Sequence, residues 1–121
     1  MDIVIANNSD CPIYRQIYEQ ISSQIINGKL ESEQSLPPIR TVAAELRISV
    51  ITVKKAWEAL EQNGFIYTMV GKGCFVAPMK TKQLKKKQSD LAEDKLKKDI
   101  AYYKSLGLSV EELIELVREN Y

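Results

Sequence analysis

The apolar residues of this chain keep helical spacing up to Gly64 and strand-like spacing immediately after it. Few small folds accommodate that order. Upstream, Tyr14, Ile17, Ile21 and Ile25 are separated by three, four and four residues and form one helix face. Pro12 suits the first turn, where a missing N–H costs little, and Asn27-Gly28 supplies a stop, so a helix is expected over 12–27. Ser35-Leu36-Pro37-Pro38 blocks helix until Pro38, after which Ile39, Val42, Ala43 and Leu46 predict a short helix over 38–46. Ser49 is a good N-cap for a third helix with Val53, Ala56, Trp57 and Leu60 on its apolar face, ended by Asn63-Gly64. Beyond it, Phe65-Ile66-Tyr67-Thr68-Met69-Val70 and Cys74-Phe75-Val76 flank Gly71-Lys72-Gly73. That predicts a β-hairpin with a flexible, positively charged tip, closed by Pro78.

The ends of the chain are simpler. Ile3-Val4-Ile5 is a short β-prone run expected to form a brief edge strand. Residues 80–106 are rich in lysine, with sparse apolar positions at Leu84, Leu91, Leu96, Ile100, Tyr103 and Leu106. One long helix of about 40 Å is expected there. Gly107 breaks it, and Ser109-Val110-Glu111-Glu112 has the form of a capping box for a last helix over 110–120, with Val110, Leu113, Ile114 and Val117 on one face. The fold class is mostly α with a small β-hairpin (α+β). The expected domains are a winged helix-turn-helix over 1–78 and a helical tail over 79–121.

Composition narrows the function classes. Cys11 and Cys74 fit no metal-ligand spacing, and the chain has no histidine. Neither a metal nor a cofactor is expected, and two reduced thiols fit a cytoplasmic protein. Without histidine the commonest general base is missing, and no Gly-rich phosphate loop or G-x-S-x-G elbow appears. Catalysis is not expected. No apolar run approaches the length of a membrane span, and the N-terminus lacks the basic region of a secretory signal.

Net charge is only +1, and residues 1–79 hold seven basic against eight acidic side chains. If this part binds nucleic acid, its cations must gather on one face. Helix, short helix, turn, helix and hairpin is the order of a winged helix-turn-helix, whose two crossing helices here bury Ile39, Val42, Ala43, Val53, Ala56 and Leu60. In such modules the N-terminal residues of the second crossing helix face base edges in the major groove. Here they are Ser49, Val50, Ile51 and Thr52, with Lys54 and Lys55 just beyond.

Several runs also carry a closer resemblance: Pro12-Ile13-Tyr14, Gln20-Ile21, Gly28-Lys29-Leu30, Leu36-Pro37-Pro38-Ile39-Arg40, Ala43-Ala44-Glu45-Leu46, Thr52-Val53, Leu60 to Gly64, and Gly71-Lys72-Gly73-Cys74-Phe75-Val76. In one register over 11–78 they resemble the GntR family of bacterial regulators, and the short tail resembles its YtrA-type subfamily. The resemblance implies a sequence-specific DNA-binding repressor acting as a homodimer on a palindromic operator. It also implies that Arg40 contacts DNA from the start of the second helix, that Ser49, Ile51, Thr52, Lys54 and Lys55 occupy recognition-helix contact positions, and that Lys72 is the basic wing tip, with Gly73 letting the backbone approach the sugar-phosphate edge. Two residues depart from the pattern. Val50 stands where many members have Arg or Pro, which points to a more methyl-directed base preference, and Arg47 stands where many have Gly.

Each of these residues also has a plainer explanation. Taken alone, Lys54 and Lys55 are ordinary solvated helix residues, and Arg40 has a surface ion pair with Glu45 as its alternative. Ser49 is a helix cap in either case. Trp57, Tyr14 and Tyr18 are expected to pack, not to stack on bases. The lysines of 80–98 are expected to form a solvated surface. A long helix with a thin apolar stripe cannot cover that stripe alone. Homodimerisation is therefore expected through Leu84, Leu91, Leu96, Ile100, Tyr103, Leu113, Ile114 and Val117. Such an interface is compatible with a small-molecule effector, although no residue set identifies one. The rival function is a winged-helix protein-interaction module without DNA binding.

Overall fold

A computed structural model describes residues 1–121, which divide into two compact units, Met1–Thr81 and Lys82–Tyr121. The first unit contains α1 (Ile13–Ile26), α2 (Ile39–Leu46), α3 (Val50–Gln62), β1 (Ile66–Met69) and β2 (Gly73–Val76). α4 (Thr81–Ser105) and α5 (Val110–Asn120) make up the rest.

α3 is the centre of the first unit. Its Val53, Ala56, Trp57 and Leu60 are buried against Ile17, Ile21 and Ile25 of α1 on one side and Val42 and Ala43 of α2 on another. Phe65, Ile66 and Val76 from the hairpin complete the core with Leu30 and Leu36 from the connecting segments. Ile39, expected in this core, is only half-buried, because it opens α2 at the edge of the crossing. Trp57 is 3% exposed and belongs to the core, with its indole N–H unpartnered. Tyr18 packs edge-on against Phe65, with ring centroids 6.0 Å apart, and burial pushes its phenol upward from the usual tyrosine range.

The hairpin pairs Ile66 with Val76 and Met69 with Gly73 in antiparallel register. Its first strand is shorter than expected, since Phe65 turns into the core before the ladder begins and Val70 lies in the tip, whereas the second begins one residue early, at Gly73. Residues 33–36 add a partner that their polar composition conceals. Ser35 bridges Phe75, Leu36 N–H donates to the Cys74 carbonyl, and Val76 N–H donates to the Gln34 carbonyl, both at 2.9 Å.

The expected edge strand at Ile3-Val4-Ile5 is absent. Instead, three glutamines four residues apart on α1 take up the backbone of alternate residues in the N-terminal segment. Gln20 both accepts from Val4 N–H at 2.8 Å and donates to its carbonyl at 2.7 Å. Gln16 treats Ala6 in the same way, and Gln24 donates to the Asp2 carbonyl. Four residues of helix rise about 6 Å and two residues of extended chain about 6.6 Å, so the spacings match. The segment finds its hydrogen bonds on side chains, and no sheet is needed.

In the second unit, α4 spans about 37 Å at 1.5 Å per residue and buries none of its side chains. Lys86–Asp90, Glu93–Lys97 and Lys95–Asp99 pair along its surface at 3.3–3.5 Å. Gly107, at φ 84°, ends it in a left-handed turn. Ser109 then caps α5, its hydroxyl accepting from Glu112 N–H while the Glu112 carboxylate accepts from Ser109 N–H, each at 3.1 Å. No helix is long and apolar enough to cross a membrane.

Candidate nucleic-acid interface

The candidate surface is assembled from the N-terminal turns of α2 and α3 and the tip of the hairpin. Arg40 is exposed on the first turn of α2. Ser49 is the N-cap of α3, its hydroxyl accepting from Thr52 N–H at 3.1 Å and lying 2.8 Å from the Thr52 hydroxyl. Val50 and Ile51 follow, 44% and 78% exposed. Thr52 is half-buried, and Lys54 and Lys55 are exposed. The Lys55 ammonium lies 4.0 Å from the centroid of the Tyr14 ring. At the hairpin tip Lys72 N–H donates to the Met69 carbonyl at 2.9 Å, closing a turn in which Gly71 has φ 79°. Gly73 follows at φ 103° with open space where a side chain would project, so backbone conformation, not crowding, calls for glycine there.

Charge pairing divides the cations of residues 1–79 sharply. Arg15 pairs with Glu19 at 3.5 Å and Lys29 with Asp2 at 3.2 Å. The Lys29 contact holds the Asp2 carboxyl below its ordinary range, first through the hydrogen bond and then through charge. Arg40, Arg47, Lys54, Lys55 and Lys72 are all exposed and none is within ion-pair distance of a carboxylate. The alternative Arg40–Glu45 pair does not form. On the acidic side, Glu33 accepts from the Tyr67 hydroxyl at 2.8 Å, and Glu61 accepts from the Thr68 hydroxyl.

Helix polarity sharpens the contrast. Neither α2 nor α3 has an acidic residue in its first turn, and Arg40, Lys54 and Lys55 sit in N-terminal halves, where the helix dipole disfavours cations. α5 follows the opposite rule, with Glu111 and Glu112 in its first turn. The N-termini of α2 and α3 thus concentrate helix dipole and side-chain charge of the same sign, an arrangement suited to phosphate.

Arg47 adds to this at a conformational cost. It is the C-cap of α2 at φ 56°, ψ 47°, in the left-handed region that favours glycine.

A family model described as "Bacterial regulatory proteins, gntR family" matches residues 13–76, all of the helices and strands just described except the tail. The chain belongs to the gntR family. Membership makes it a DNA-binding regulator of transcription with a winged-helix fold. It is 29% identical to the transcriptional repressor YtrA of Bacillus subtilis over 97% of this chain and 90% of that protein. To the repressor NagR of the same organism it is 38% identical over 74% of this chain, but the match spans only 37% of NagR. A crystal structure described as a transcriptional antiterminator from Listeria monocytogenes EGD-e superposes with a TM-score of 0.80 at 32% identity, covering 99% of this chain and 90% of that one. The DNA-binding domain of AraR, solved in complex with operator ORX1, matches with a TM-score of 0.56 at 30% identity, covering 64% of this chain and 96% of that one.

The residues assigned to dimerisation lie on α4 and α5. Leu84, Leu91, Ile100, Tyr103 and Leu113 are half-buried, whereas Leu96, Ile114 and Val117 are exposed. Tyr102 and Leu116, not among the residues expected at the interface, are 61% and 42% exposed. Tyr14 was expected only to pack; its role as the seat of Lys55 depends on how α1 lies against α3, which no local pattern reveals.

Proposed function

We propose that the chain is a cytoplasmic transcriptional repressor that binds a short palindromic operator as a homodimer, with α3 in the major groove and the hairpin tip at the minor groove. The observation that carries this reading is the set of five exposed cations, Arg40, Arg47, Lys54, Lys55 and Lys72, that lack carboxylate partners while Arg15 and Lys29 are paired. Unpaired charge on a near-neutral unit gains its counter-charge from phosphates. The relatives NagR and YtrA are named as repressors, and AraR was solved on an operator, which supports the sign of regulation and the target. The reading assigns no catalytic role and no cofactor.

Within this reading Arg40 and Lys72 hold the phosphates, Ser49 and Thr52 fix the first turn of α3, and Val50 and Ile51 face the bases. The tail supplies the second copy. α4 and α5 leave an apolar stripe that includes Leu96, Ile114 and Val117 in water, and a partner's tail would cover it. Two recognition helices related by a two-fold axis then read half-sites about one helical turn apart.

Selection of bound sequences from random duplex DNA tests the reading directly. The expected result is an inverted repeat bound with an affinity that falls steeply with salt. Failure to retain any duplex would overturn it in favour of a protein-interaction module, and sedimentation as a monomer at micromolar concentration would remove the homodimer.

A further inference from the structure

We propose that Ile51 is a specificity residue that reads the 5-methyl group of a thymine in each half-site of the operator. This inference rests on the operator-binding reading above and adds the chemistry of the base that is recognised.

Ile51 is 78% exposed on a helix whose neighbouring Val53 is fully buried. Two residues turn the helix by about 200°, so Ile51 points almost directly away from the core. Nothing in the fold favours isoleucine there. A β-branched residue is a weaker helix former than alanine or lysine, and at this exposure it recovers nothing by packing. The side chain also follows Val50, itself 44% exposed, so two adjacent apolar residues occupy the first turn of the helix.

The surroundings indicate what covers this patch. Lys54 and Lys55 follow within one turn, and neither has a carboxylate partner. An apolar tip bordered by unpaired cations is complementary to a surface with phosphates at its margins and an apolar group at its centre. The floor of the major groove offers one such apolar group on a base edge, the C5-methyl of thymine. Isoleucine is well suited to meet it. In a helix its χ1 has a single strongly preferred value, so the side chain is already ordered before contact and loses little freedom on binding.

The test uses the operator recovered by selection and the full-length protein. Each thymidine is replaced in turn by deoxyuridine, which deletes only the methyl group, and affinity is measured by fluorescence anisotropy for wild type and for Ile51→Ala. One position per half-site is expected to lose about fourfold, the value of one methyl removed from water, and about fifteenfold when both half-sites are altered. Ile51→Ala should bind the thymidine operator correspondingly weakly and should be indifferent to deoxyuridine at that position. At 78% exposure the substitution leaves the core untouched, and a melting temperature that is unchanged or slightly raised by alanine's helix preference confirms it. Indifference of the wild type to every deoxyuridine, or an equal loss in both proteins, overturns the methyl contact and leaves operator binding standing. Failure of the wild type to bind any duplex overturns both.

Discussion

The Lys55 ammonium is seated over the Tyr14 ring, 4.0 Å from its centroid, and so joins the start of α1 to α3. The contact orients a charge without neutralising it, because an aromatic face attracts a cation but leaves its net charge available to a phosphate. At an exposed site such a contact is worth about 0.5–1 kcal/mol. Lys55→Ala should therefore weaken operator binding at least about tenfold and also lower stability slightly. Tyr14→Phe, which keeps the face, should leave binding unchanged, whereas Tyr14→Leu should destabilise by about 0.5–1 kcal/mol in urea titrations. Equal binding by Lys55→Ala and wild type would show that the lysine serves only the fold.

Arg40 and Lys82 test whether the position of a cation, and not its charge alone, governs binding. Arg40 lies on the first turn of α2 with no carboxylate near it, and Lys82 lies on the first turn of α4, outside the winged helix. Arg40→Ala should lower affinity at least about tenfold and reduce the slope of log affinity against log salt by about one. Lys82→Ala should change neither. Equal losses from the two substitutions would show that binding responds only to total charge.

The helices were legible in the sequence because their determinants are local. Ile17, Ile21 and Ile25 mark the buried face of α1, Ser49 caps α3, and Ser109 with Glu112 forms the expected box. The sequence asked only that a near-neutral DNA-binding unit gather its cations on one face; that five of them lack carboxylate partners depends on the folded positions of the acidic side chains. What escaped depends on packing between distant segments. Ser35 pairs with Phe75 although Glu33-Gln34-Ser35 has no strand character, because β2 offers it an open edge. Ile3-Val4-Ile5 has strand character but meets the glutamines of α1 instead of another strand.

Those glutamines give the N-terminal segment measurable protection. Val4 N–H donates to the Gln20 side chain and Ala6 N–H to that of Gln16, each at 2.8 Å, at exposed positions. Gln20→Ala should free Val4 while leaving Ala6 held, so hydrogen exchange should accelerate at Val4 alone. Because water replaces the lost partner, global stability should fall by no more than about 1 kcal/mol. Exchange at Val4 that is equally fast in both proteins would show that the clamp does not persist in solution.

Acid should loosen the start of α5 through Glu112. The Ser109 backbone N–H, and then its hydroxyl, hold the Glu112 carboxyl below the ordinary glutamate range. A carboxyl lowered in the folded state contributes stability that is complete above its unfolded value and is lost as pH falls through the lowered folded value. Helicity followed by far-UV circular dichroism should therefore decline on acidification more in wild type than in Glu112→Gln, which keeps a neutral acceptor at the same reach. Parallel acid profiles for the two proteins would remove the carboxylate from the cap.

Arg47 poses a test in which stability and binding should move in opposite directions. Its φ of 56° places a side-chain-bearing residue in the left-handed region at the end of α2, where glycine is at ease. Relieving that conformation is worth about 1 kcal/mol, partly offset by the greater freedom of glycine in the unfolded chain. Arg47→Gly should thus raise the urea midpoint modestly. The same change deletes one of the five unpaired cations, so operator affinity should fall and its salt slope should flatten by about one. Arg47→Ala distinguishes the two effects, since it loses the charge without relieving the backbone and should weaken binding with no gain in stability. A gain in stability for Arg47→Gly with unchanged affinity would place Arg47 outside the interface, and a loss of stability would contradict the strained turn itself.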